Sequence, residues 1–115
     1  MNLTTIQIPI YNMEVIAILD DWEAANKKYD LQLEHWEFEQ CGITVEPHDE
    51  PGIIYVLLKS DQPTVLFHEL HHVISLVCKH TGIKPDATND EALAYLQEFI
   101  GKQLAEFLGY EKTSK

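Results

Sequence analysis

The chain has 115 residues and a formal net charge of -11, which fits one domain, expected to span 1–115, with a real but modest core. Eight Lys and no Arg stand against nineteen acids, a balance that repels phosphate backbones and anionic lipid, so nucleic-acid and membrane partners are not expected. A hydrophobic fraction of 45% with 10% aromatics excludes a disordered acidic tail.

The first elements read as β structure. Thr5–Tyr11 alternates apolar and polar residues, Asn12-Met13-Glu14 breaks the run, and Val15–Leu19 resumes it. This predicts a β-hairpin with Pro9 on an edge strand. Asp20 and Asp21 suit the cap of a helix over Trp22–Tyr29. Leu31–Glu39 has neither a period of two nor one of 3.6 and reads as strand or irregular chain. Gly42–Glu46 is a short strand, Pro47–Gly52 a turn, and Ile53–Leu58 an unbroken apolar run typical of a buried strand, expected to pair antiparallel with the preceding one.

After Ser60-Asp61-Gln62, Pro63 suits the first helical position, where its missing N–H costs nothing, and Gly82 suits the left-handed residue that ends the helix. A helix over Pro63–Thr81 follows. Thr88–Glu91 has the capping-box pattern, and Leu93, Leu96, Phe99, Ile100, Leu104, Phe107 and Leu108 recur at helical spacing. The predicted class is α+β, an N-terminal antiparallel sheet followed by two long C-terminal helices.

The first long helix reads Val65-Leu66-Phe67-His68-Glu69-Leu70-His71-His72-Val73-Ile74, and His68, Glu69 and His72 form an HExxH motif. At 100° per residue His72 lies about 40° round from His68 and about 6 Å along the axis, so both imidazoles can reach one metal ion. Glu69 flanks the same face, where a carboxylate serves as a general base toward a metal-bound water. A chain of this composition is expected to contain the motif by chance about 0.03 times. Its position early in a helix, directly after a buried strand, adds to the metal reading.

A catalytic zinc needs a third protein donor. Glu91, on the first turn of the last helix, is the choice, with Glu98 and Asp90 as alternatives; Glu91 also has a plain role as a capping-box residue. His71 projects to the other side of His68 and reads as a supporting or surface residue, while His80 lies too far along the axis to share the ion. Tyr95, one turn after Glu91, is the candidate transition-state donor, with His35 and His48 as further possibilities. Cys41 and Cys78 form no CxxC pair and read as reduced thiols. The N-terminal residues lack a signal-peptide pattern, and no apolar run is long enough to span a membrane. A cytoplasmic location is expected.

The stretch Val65–Ile74 resembles the extended zinc signature of zincin metallopeptidases. With Glu91 in Asp-Glu-Ala-Leu-Ala-Tyr-Leu it is similar to the gluzincin arrangement of two histidines followed by a glutamate. The region Ile53–Leu108 also resembles small phage-encoded zincin-like proteins and, more distantly, the ImmA/IrrE metallopeptidases. The resemblance implies His68, His72 and Glu91 as zinc ligands, Glu69 as general base, and Ile53–Leu58 as a strand bordering a cleft that takes an extended peptide. If the chain is phage-encoded, its compartment is the host cytoplasm. His71 occupies a position that is usually apolar in the signature, and the absence of Arg leaves the oxyanion stabiliser unassigned. The expected function is zinc-dependent peptide hydrolysis. The alternative is an inactive zincin-like accessory protein that binds a protein partner and uses zinc structurally, and an acidic decoy of DNA ranks last. Neither the substrate nor the oligomeric state follows from the sequence.

Overall fold

A computed structural model describes residues 1–59 and 61–110, so Ser60 of the expected turn lies outside the described residues. The elements are β1 (Asn2–Ile8), β2 (Met13–Leu19), α1 (Trp22–Tyr29), β3 (Gly42–Val45), β4 (Ile53–Leu58), α2 (Pro63–Thr81) and α3 (Asp90–Leu108). Short 3-10 turns occupy Pro9–Tyr11, His35–Glu39 and Ala87–Asn89. The α+β layout of strands first and two long helices last is present.

The sheet order is β1-β2-β4-β3. β1 pairs antiparallel with β2, and β3 with β4, as the hairpin patterns predict. The expectation of a wholly antiparallel sheet is corrected at its centre, where β2 and β4 run parallel with Val15 opposite Ile54 and Ala17 opposite Val56. The chain leaves β2 through α1, reaches the far edge as β3, and turns back to insert β4 between them. Two-sided burial explains why Ile53–Leu58 reads as one apolar run: every residue from Ile54 to Leu58 is at most 2% exposed.

Alternation along the strands sends side chains to two cores. Val15, Ala17, Ile54, Val56 and Leu58 pack with Leu66, Leu70, Val73 and Val77 of α2 and Leu96, Ile100 and Leu104 of α3. Ile16, Ile18, Tyr55 and Leu57 face the other way onto Trp22 and Ala25 of α1 and onto Leu31. The molecule is therefore a sheet covered on both faces, with the motif helix and α3 on one side. Trp22 is fixed by its indole N–H, which donates to Leu58 O at 3.1 Å.

Three local expectations change. Pro9 opens the 3-10 turn rather than extending the edge strand, and Asn12 in the left-handed region closes that turn into β2. Asp20 and Asp21 both have positive φ, and Asp21 makes no side-chain cap to α1. The Thr88–Glu91 capping box does not form: Thr88 donates from its N–H and hydroxyl to Asp86 Oδ1, at 3.1 and 2.5 Å, and α3 starts at Asp90 without a side-chain cap. A capping box appears instead at Glu34 and Glu37, where the Glu34 amide donates to Glu37 Oε1 at 2.6 Å. α2 has the predicted bounds, with Pro63 in its first turn and Gly82 at φ 79° closing it.

Candidate functional site

The periodicity of α2 decides what each motif residue faces. Leu66, Leu70, Val73 and Val77 turn into the core, which leaves His68 and His72 on the outer face, both exposed. Their ring centroids are 4.9 Å apart with planes at 75°. Glu69 lies between these faces and is turned toward β3. It is only 3% exposed, the one charged side chain among the buried residues described. A buried carboxylate requires a donor, and Thr44 of β3 supplies it: its hydroxyl donates to Glu69 Oε1 at 2.6 Å.

β3 reaches Glu69 because residue 42 is glycine. A Cβ on Gly42 would stand 2.9 Å from Val65 Cγ1 and 3.1 Å from Glu69 Cγ, closer than packed side chains tolerate. The resulting groove of about 370 Å³ runs between α2, β3 and the His35–Glu39 turn. His68, Glu69 and His72 form one wall, Ile43 and Thr44 another, and Trp36 with Glu37 the third. The resemblance makes Ile53–Leu58 the strand beside the cleft. The sheet order corrects this, because β4 is internal and β3 is the edge strand that borders the motif.

The carboxylates of α3 lie elsewhere. Glu91 is exposed and does not line this groove. Glu98 lines a cavity of about 760 Å³ with Phe67 and Leu70, and Asp90 lines one of about 720 Å³ with His71 and Cys78. Tyr95 is 64% exposed and, like His35 and His48, does not line the groove of His68 and His72. His71 touches His72 edge to face, with centroids 5.9 Å apart, but belongs to the cavity on the α3 side. His80 pairs with Glu46 and ties the end of α2 to the end of the β3 segment.

Among the described residues no group of three or more His, Cys, Asp or Glu is placed to hold a metal ion. A tetrahedral catalytic zinc takes three protein donors and a water. The arrangement fits the two-histidine part of that set and does not supply the third donor. Cys41 is exposed and free, while the free thiol of Cys78 is buried, and burial raises its pKa. No helix among the described residues is long and apolar enough to cross a membrane.

Sequence reasoning did not single out Gly42, Thr44, Trp36 or Glu37 for this site. Gly42 carried a readable signal, since a glycine opening a strand marks close approach of another element. Thr44 carried none without knowledge of which face of β3 meets α2. No protein-family model, curated protein or solved structure matches the chain.

Proposed function

We propose that this protein is a zinc-dependent metallopeptidase of zincin type, acting in the cytoplasm on an extended peptide laid along β3. The observation that carries the reading is Glu69, buried at the foot of a groove with His68 and His72 exposed above it and an edge strand beside it. Edge strands bind extended peptides through main-chain hydrogen bonds, which would hold a peptide carbonyl near the histidines. His68 and His72 are the proposed donors to zinc, and Glu91 the proposed third, brought to the site by rearrangement of the first turn of α3. Zinc held there would supply Lewis-acid chemistry and an activated water. Glu69 is the proposed proton acceptor, and the hydroxyl of Thr44 holds its carboxylate in place.

The test combines metal content with cleavage. Protein purified without chelator is expected to carry about one zinc per chain, and His72→Ala to lose it. Glu69→Gln is expected to keep the metal and abolish cleavage of an unstructured peptide. A zinc content near zero in the unmutated protein refutes the reading. The Thr44 contact, which packs Glu69 as a buried partner of β3, favours a second reading, a zincin-like accessory protein whose metal is structural. On that reading Glu69→Gln leaves partner binding and stability intact, and neither protein cleaves.

A further inference from the structure

The wall of the groove opposite the motif helix is built from a segment of unusual composition. Glu34-His35-Trp36-Glu37-Phe38-Glu39 places three glutamates and a tryptophan within six residues, with no lysine. Trp36 is 59% exposed, whereas Trp22, the other tryptophan, is buried at 4%. A large aromatic left in solvent on the rim of a groove has no packing duty to explain it, and Trp is characteristic of recognition surfaces. Its neighbour Glu37 is half-buried and lines the same groove. Glu37 Oε1 accepts the Glu34 amide, and no hydrogen bond to Oε2 occurs among the described residues.

An aromatic ring and a carboxylate lining one groove suit one chemistry particularly well. A guanidinium or ammonium group is attracted to the face of an indole, its aliphatic stem covers apolar surface, and its charge pairs with the acid. The molecule already uses the first part of this pairing, with Lys59 Nζ lying 4.6 Å from the centroid of the Trp22 ring. Among the described residues no lysine lines the groove beside Trp36, and the chain has no arginine. Of the lysines on flanking elements, Lys59 is engaged with Phe38 O, and Lys79 lines an adjoining cavity. A substrate carboxylate placed beside Trp36 would meet Glu37 instead of a lysine or arginine.

We infer that Trp36 and Glu37 form a subsite for an arginine or lysine side chain of an extended peptide bound in the groove between β3 and α2. The inference rests on the proposed peptide substrate, narrows it to basic peptides, and assigns specificity to a segment outside the HExxH motif. It requires neither the metal nor cleavage, so binding tests it alone.

The experiment measures fluorescence anisotropy of a labelled, end-blocked Ala/Thr peptide carrying a single Arg, against the same peptide with citrulline or Glu in that place. It uses metal-free protein, then Glu69→Gln protein loaded with zinc. The Arg peptide is expected to bind about tenfold more tightly than the citrulline peptide, the size of one cation–π contact plus a solvent-exposed ion pair. That preference should weaken with added salt, and the Glu peptide should bind weakest. Glu37→Gln keeps the acceptor for the Glu34 amide and is expected to reduce the preference severalfold. Trp36→Ala should weaken the Arg peptide, with Trp36→Phe in between, and circular dichroism checks that each variant is folded. Equal affinities for Arg and citrulline, no binding of either, or a preference untouched by Glu37→Gln overturns the subsite. Arg-selective binding without cleavage by the zinc-loaded unmutated protein leaves the subsite standing and refutes only the hydrolytic reading.

Discussion

At the scale of single residues, the contact between Thr44 and Glu69 joins stability to chemistry. Thr44→Val preserves shape and removes the hydroxyl, leaving a carboxylate that is 3% exposed without that donor. The expected loss is about 1–3 kcal/mol, read as a lower thermal midpoint. The double variant Thr44→Val, Glu69→Gln should recover part of it, because an amide is less costly to bury than a charge. Gly42→Ala is expected to destabilise by a comparable amount for a different reason: its Cβ would drive β3 away from Val65 and Glu69. A titration effect lies on the opposite face of the sheet. Burial, followed by the negative charge of Glu50, raises the Tyr55 pKa from 10.0 to about 12. The folded protein thus keeps this proton where the unfolded chain has lost it. The stability contributed is fully present below about pH 10 and declines as the pH rises toward about 12. Tyrosinate absorbance should show one late-titrating phenol that disappears in Tyr55→Phe, together with a shallower alkaline loss of stability in that variant.

At the scale of elements, what could be read from the chain depended on how local the cause was. α2 was readable to both ends because Pro63 and Gly82 act within one turn, and β4 because burial on both faces leaves an unbroken apolar run. The parallel pairing of β2 with β4 was not readable, since it joins residues about forty positions apart and no local pattern records it. The start of α3 departs from the capping-box pattern because Thr88 has two possible partners. Its side chain bonds Asp86, which organises the Ala87–Asn89 turn, in place of a box with Glu91. That competition makes a prediction about α3. The hydrogen bond from the Thr88 side chain holds the Asp86 carboxyl below its ordinary pKa of 3.8. Its contribution is therefore present above that value and is lost as the pH falls through and below it. Asp86→Ala should speed hydrogen exchange at the first turn of α3 at neutral pH, while amides around Ile100 keep their protection. Equal exchange in both proteins would show that Asp86 does not organise this turn.

At the scale of the whole molecule, the HExxH spacing was readable in full, yet the donor set it implies is only partly assembled. His68, Glu69 and His72 face one groove because helix periodicity alone puts them there. Bringing Glu91 to them depends on how α3 docks, and α3 packs through Leu96, Ile100 and Leu104 on the side of α2 away from that groove. If zinc recruits Glu91, metal binding must reshape the first turn of α3, and the energy of coordination then appears as folding energy. Saturation at about a hundredfold excess over the dissociation constant stabilises a protein by about 2.7 kcal/mol. For a domain of this size that is a rise of roughly 10 °C in the thermal midpoint. Zinc is expected to give that rise, His72→Ala to abolish it and Glu91→Gln to reduce it, with slower hydrogen exchange at Asp90–Ala94 in the zinc-bound protein. A full rise in Glu91→Gln with unchanged exchange in α3 would place the third donor outside that helix. The net charge of -11 favours the same event, since an acidic molecule whose groove is lined by Glu37 and Glu69 attracts a dication.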